Sequence, residues 1–410
     1  MSPKRRNLLL ALVIFSGILN YADRQIIAVL KPLLQDQLQW SDQDYGNLTA
    51  VFQLAAALAY VGAGWLVDRV GWRRANVLAV GSWSLAAMAH AVARTLGQFT
   101  IARVALGATE SLGTPTAIKT IAVLFEARAR SVALGAMNAA GNVGAIITPL
   151  FVPTLAMAWG WSAAFLFTGG LGLAWVIAWL LVQPGEKESG GEARAPAAAT
   201  GSRVSWSVVL TDRRTWAIAG AKVLTDQVWW FLLFWAPDFF HRQFNLDMQG
   251  FAVPIAVIYC TAACGSLLGG WASGRLIAGG MEVTDARKTV MFVSSLLALP
   301  VPLALYVDNY WIAVALLSLT LSAHQGFSVN LFAITTDVTP SSRVGTVISV
   351  AALCGNLSGM VVLRVAGDLI GSGYGYGPLF GLAAVAYLLG VAWVRWLLPK
   401  GMSATPALAG

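Results

Sequence analysis

Charge is what this chain has least of. Of 410 residues only 11% are Asp, Glu, Lys or Arg, against 57% in the apolar set, and histidine and cysteine occur three times each. A soluble domain carries about 25% charged residues, because a surface facing water needs them. The deficit excludes a soluble enzyme, a nucleic-acid binder and a disordered chain. Cys260, Cys264 and Cys354 all lie in apolar runs, so neither a disulfide framework nor a CxxC metal site is expected. HExxH, GxSxG and P-loop motifs are absent as well, which argues against a membrane enzyme. No segment is long enough for a soluble output domain, which argues against a sensor. No cofactor or metal is expected.

What is present is apolar sequence in lengths that suit a bilayer. A spanning helix takes about 20 residues. Twelve such segments are read at about 8–30, 46–68, 75–94, 98–122, 131–154, 160–183, 214–240, 249–273, 287–306, 311–334, 344–368 and 376–398. The first, from Leu8, runs past a charged pair without a small-residue cleavage site, so it is expected to stay as a helix. Between the sixth and seventh lies "PGEKESGGEARAPAAATGS", rich in charge, Gly, Ala and Pro, which reads as a flexible linker. The expected organisation is an N-terminal six-helix bundle at 1–183, a linker at 184–213 and a C-terminal bundle at 214–410. The expected class is an all-α membrane protein of twelve transmembrane helices in two pseudo-symmetric halves, working as a monomer in a lipid bilayer.

The net charge of +8 has its own distribution. Of 27 basic residues, 19 fall in alternate loops, Lys4, Arg5, Arg6, Arg69, Arg73 and Arg74 among them, while the other loops hold only Lys31, Arg94 and Arg242. By the positive-inside rule both termini and the linker face the cytoplasm. The two halves also resemble each other. Arg130 matches Arg343 at an offset of 213 residues, and Gly141-Asn142 matches Gly355-Asn356 at 214. Repeated halves point to alternating access about a midplane site.

"GWLVDRVGWRR" covers Gly64 to Arg74. It resembles the loop motif of the major facilitator superfamily at Gly64, Leu66, Asp68, Arg69, Gly71, Arg73 and Arg74. Gly64 suits close helix packing and Gly71 a tight turn, while Asp68 can accept hydrogen bonds from a helix end or an arginine. Such a cluster can latch one conformational state; a merely solvated turn is the plainer alternative. In the second half Ser273 and Gly274 stand where an acid would be.

Ionisable groups inside spans are costly and mark candidate sites. The first half holds Asp23, Arg24, Arg103, Glu110 and Lys119. Adjacent helical residues diverge by about 100°, so Asp23 and Arg24 can face different partners. Arg24 offers a planar fork suited to a carboxylate. Arg103 and Glu110 stand seven residues, or two turns, apart on one face, as a functional proton site or a structural pair. Lys119 is either a second carboxylate anchor or a side chain that snorkels to the interface. Lys222 and Asp226 have i, i+4 spacing and are expected to pair. Trp235 reads as packing, and Trp230 as packing or a stacking surface for a sugar. Asn142 and Asn356 can hold substrate hydroxyls or bond between helices. His324 reads as a core histidine.

Taken together, "NYADRQ", "RVALGATES", "PTAIKTIAVLF", "GNVGAIITPL" and "LTDQVWWFLLFWAPDF" resemble the anion:cation symporter family of that superfamily, and within it the hexuronate transporters. The resemblance covers nearly the whole chain. It implies proton-coupled uptake of an organic-acid sugar across the inner membrane, with no nucleic-acid partner. By matching positions it implies that Asp23 and Glu110 respond to protons. It further implies that Arg24 holds the substrate carboxylate, with Tyr21, Lys119, Asn142, Asn356 and Trp230 as further contacts, and that Arg103 partners the acids. Gly64, Asp68, Arg69, Gly71 and Arg73 are the implied gating residues. Ala56 departs from the pattern where relatives often place a tyrosine, with Gln53 or Tyr60 one turn away on either side. A Gly-Pro antiporter signature is missing from the fifth span. A proton-coupled efflux antiporter is the less favoured alternative, and another organic anion such as galactonate the nearer one.

Overall fold

The computed structural model describes residues 2–184, 206–340 and 343–399, and every regular element among them is helical. The helices are α1 (Pro3–Val29), α2 (Lys31–Leu38), α3 (Asp42–Val70), α4 (Trp72–Val92), α5 (Leu96–Glu110), α6 (Gly113–Leu124), α7 (Ala127–Trp159) and α8 (Trp161–Val182). They continue as α9 (Trp206–Thr211), α10 (Arg213–Phe244), α11 (Ala252–Ala278), α12 (Val283–Ala298), α13 (Tyr310–Val338), α14 (Val344–Gly371) and α15 (Gly377–Leu397), with a 3₁₀ turn at Val301–Leu305 after α12. The linker residues 185–205 and Lys400 lie outside the described residues.

Ten described stretches are long and apolar enough to cross a membrane. The two further spans read from the sequence take other forms. The fourth is broken at Ser111–Leu112 into α5 and α6, each too short to cross alone. The seventh, α10, is one helix of 32 residues that carries Lys222, Asp226 and Asp238.

Local chemistry sets the helix ends. Ser41 and Asp44 form a reciprocal capping box at the start of α3, and Thr95 and Gln98 do the same for α5. Gly71 sits at φ +77° between α3 and α4, a conformation that favours glycine, so the tight turn expected there is present. The close packing expected at Gly64 is not: a Cβ there would meet nothing within 4 Å. Gly64 lies on the exposed side of α3, and the glycine that brings α3 close to a neighbour is Gly107 of α5, whose added Cβ would collide with the Phe52 carbonyl oxygen.

Contacts divide the chain into two units, Met1–Thr200 with Phe234–Ala256, and Gly201–Leu233 with Val257–Gly410. In the first unit α1 packs on α7, α3 on α5 and α4 on α8. An added Cβ at Gly141 would lie 2.6 Å from the Tyr21 ring, and one at Gly144 2.5 Å from the Ile18 carbonyl oxygen, so the "GNVG" of α7 makes room for α1. In the second unit α12 packs on α13 and α15. There Gly355 of α14 leaves space for the Asp226 carboxylate of α10, the same device with a different guest.

Candidate functional site

Helices α1 and α5 of the first unit carry four buried charges, Asp23 and Arg24 on α1 and Arg103 and Glu110 on α5. The capping box at Thr95 starts α5 so that Arg103 and Glu110 share the face that Gly107 presses against α3. Arg24 donates from Nε to Glu110 Oε2 at 2.6 Å. Its guanidinium lies 5.4 Å from the Tyr21 ring centre and 5.6 Å from that of Phe52, and Arg103 stands 5.6 Å from the same Phe52 ring. Asp23, next to Arg24 on α1, is buried and interacts electrostatically with Glu110 and Arg103 of α5. Thr168 faces Asp23 from α8 but donates its hydrogen to the Ala164 carbonyl. Both Asp23 oxygens, all three Arg103 guanidinium nitrogens and Glu110 Oε1 are buried without a hydrogen-bond partner among the described residues.

The chemistry follows from the count. With all four groups ionised, two cations balance two acids. A proton taken up by either acid leaves the cluster cationic in a medium that tolerates unpaired charge poorly. A carboxylate ligand would then offset the excess positive charge, and Arg24 is the cation whose acid competitor is already in place.

The other candidates fall in separate groups. Tyr60 faces Arg24 from α3, while Ala56 and Gln53 are buried in the same helix. Asn142 is half-buried on α7, next to the Gly141 that accommodates Tyr21. Lys119 is not beside Arg24's partner. It donates to Asp68 Oδ1 at 2.9 Å and to the Val67 carbonyl at 3.0 Å, so the acid of the loop motif takes a lysine rather than an arginine or a helix end. Arg69 lies over Trp65 at 5.3 Å, and Arg73 donates to the Pro184 carbonyl at 2.9 Å.

In the second unit Asn356 donates to the Ala352 carbonyl at 2.8 Å, and Trp230 is buried on α10. Lys222 and Asp226 pair at 2.6 Å, as their spacing suggested. His324 stacks on Trp229 and meets the Tyr387 hydroxyl at 3.1 Å, an engaged core histidine.

A second charge network was missed. Lys31, read above as an outer-loop cation, is fully buried at the start of α2. Its ammonium lies 2.9 Å from Asp42 Oδ1 and 2.6 Å from Asp238 Oδ1. Arg242 reaches both acids as well, Asp42 at 2.6 Å and Asp238 at 3.0 Å. One sequence signal was available, the acid in "WAPDFF" directly after an aromatic run.

Comparison with known proteins defines the class. The family model of the Major Facilitator Superfamily matches residues 13–363. The chain belongs to that superfamily and is an integral multi-pass membrane transporter, not an enzyme. The "Hexuronate transporter" of Escherichia coli (strain K12) is 27% identical over 402 residues, covering 95% of this chain and 92% of that protein. The "D-galactonate transporter" of Escherichia coli O6:H1 is 26% identical over 418 residues, covering 95% of each. In fold, a bacterial homologue of the human lysosomal transporter Spinster, solved inward-facing and unoccupied, matches with a TM-score of 0.77 at 18% identity, over 97% of this chain and 98% of that one.

Proposed function

We propose that this chain is a proton-coupled symporter importing a sugar acid, a hexuronate such as glucuronate or galacturonate, by alternating access between two six-helix halves. The carrying observation is the buried Arg24–Glu110 pair at 2.6 Å inside a cluster whose four charges cancel. In this reading Asp23 and Glu110 take up protons from outside. Glu110 then gives up its hold on Arg24, and Arg24 receives the substrate carboxylate through its planar fork. Arg103 stays as the fixed counter-charge to the acids. Tyr21, Asn142, Asn356 and Trp230 serve the sugar's ring and hydroxyls. In the cell interior the acids lose their protons, Glu110 reclaims Arg24, and the substrate leaves. Lys119 acts with Asp68, Arg69, Gly71 and Arg73 at the cytoplasmic turn rather than on the substrate. The termini and the linker face the cytoplasm of the inner membrane, as the distribution of basic residues suggests.

Support for the substrate class comes from the named relatives, of which the hexuronate and galactonate transporters each match 95% of this chain. The deciding experiment is uptake of labelled glucuronate or galacturonate into proteoliposomes under an imposed proton gradient, with galactonate as competitor. Arg24→Ala is expected to weaken apparent affinity about ten- to a hundredfold, since a hydrogen bond to a charged group contributes about 1.5–3 kcal/mol. Asp23→Asn is expected to keep exchange of substrate across the membrane but lose accumulation against a gradient. Retained accumulation by Asp23→Asn sinks the coupling role, and retained affinity in Arg24→Ala sinks the carboxylate role. Counterflow with galactonate and none with uronates moves the substrate to the aldonates.

A further inference from the structure

We propose that Lys31, Asp42, Asp238 and Arg242 form an ionic latch that holds the Phe234–Phe244 end of α10 closed against α2 and α3, and that this latch parts whenever the Asp42 end of α3 opens. The proposal rests on the alternating-access cycle of the superfamily and not on the sugar-acid reading.

The first support is connectivity. Asp42 is the first residue of α3, Lys31 starts α2, and Asp238 and Arg242 sit one turn apart on α10. Lys31 bridges the two acids from the inside, and Arg242 bridges the same two from the rim, where its side chain is 40% exposed. A single oxygen, Asp42 Oδ1, takes donors from Lys31, Arg242 and Gln35 at 2.9, 2.6 and 3.1 Å.

The second is the packing around the lysine. Its ammonium lies 5.1 Å from the Tyr45 ring centre and 4.5 Å from that of Trp235, so α3 and α10 each supply an aromatic face. Tyr45 stacks edge-on to Trp235 at 5.0 Å and donates its hydroxyl to the Phe234 carbonyl at 2.7 Å. That carbonyl lies three residues before Pro237, where the helix ladder already lacks a donor.

The third is the choice of charge over grease. A buried ion pair is a poor way to gain stability, because desolvation offsets most of the attraction. It is a good way to build a closure with two states. When the end of α10 lifts, all four groups enter water and are rehydrated, so the open state recovers what the contacts lose. An apolar seal would recover nothing on opening. Buried, multiply bridged charges at a helix end that changes unit midway along its length therefore fit a closure that is made and broken in each cycle.

The test uses the full chain and no substrate, so a wrong sugar-acid assignment leaves it intact. Ala236, buried on α10 beside Trp235, is replaced by cysteine in a chain with Cys260, Cys264 and Cys354 changed to serine. Labelling by a membrane-impermeant maleimide is timed in right-side-out and inside-out vesicles. Adding Asp238→Asn is expected to speed labelling at least tenfold from the side of the Asp42 end and leave the other side unchanged. Arg242→Gln is expected to give a smaller acceleration from the same side. An unchanged rate overturns the proposal, and so does equal acceleration from both sides, which a general loosening of the fold would give. If Asp238→Asn fails to reach the membrane, Arg242→Gln decides alone, with an unchanged rate overturning the latch.

Discussion

The two ends of α3 carry the same kind of contact in opposite settings. At the start, Asp42 meets Lys31 and Arg242 with side-chain exposures of 11% for the acid and 0% for the lysine. Near the finish, about 39 Å along the helix by its rise per residue, Asp68 meets Lys119 with exposures of 77% and 22%. The first end ties α3 to α2 and α10; the second ties it only to α6, within its own bundle. The loop motif that names the superfamily lies at the weaker of the two. Recognisable sequence and strong coupling are therefore separate properties here: the loop motif marks an exposed turn, while the deep contact is made by residues outside that motif.

Three substitutions probe that contrast. Lys31→Met should have the largest effect. Removing one partner of a buried pair costs about 3–5 kcal/mol, and because Arg242 still offsets both acids the loss should fall near 3 kcal/mol. Thermal or denaturant unfolding in detergent would show it, with little dependence on added salt. A loss no greater than that of Lys119→Met would erase the difference between the ends. Gly107→Ala acts at the middle of α3, where a new methyl meets the Phe52 carbonyl oxygen and cannot be absorbed by a side-chain turn. Overpacking of this kind costs about 1–3 kcal/mol, again readable by unfolding, whereas Gly64→Ala enters open space and should pass unnoticed. Lys119→Met should be the smallest, about 0–1 kcal/mol for a pair facing water. Its effect should shrink further as salt is raised from 0.01 to 0.5 M, because exposed charges are screened over about 10 Å at 0.1 M.

Much of the fold was legible because a spanning helix announces itself locally. A run of apolar residues needs no partner to be recognised, and ten of the expected spans appear as described helices long and apolar enough to cross. The break between α5 and α6 at "TESLGTP" was not read from the sequence, because Glu110 was taken there as a charge inside one continuous span and the Gly113 and Pro115 beside it as part of that span. At the site, the four charges of the first unit stood out because charge is rare in spans. Which cation would hold Glu110 did not: Arg103, seven residues away on the same helix, looked as close a partner as Arg24, 86 residues away, and the structure chose Arg24. Lys31 illustrates the limit more sharply. A cation just past a span looks like a loop residue by composition, and only the arrival of Asp238, from far along the chain, shows that it is enclosed.

Pro237 has a mechanical meaning. Without an amide hydrogen it leaves the Leu233 carbonyl with no donor four residues on, at the residue where α10 leaves one unit and enters the other. A helix is stiff because its rungs share a load, and one with a missing rung bends there first. The helix runs unbroken from Arg213 to Phe244, and Pro237 marks the place along it where flexure is easiest. The missing rung therefore separates the charged tip of α10, with Asp238 and Arg242, from the Lys222–Asp226 pair about three turns earlier in the same helix.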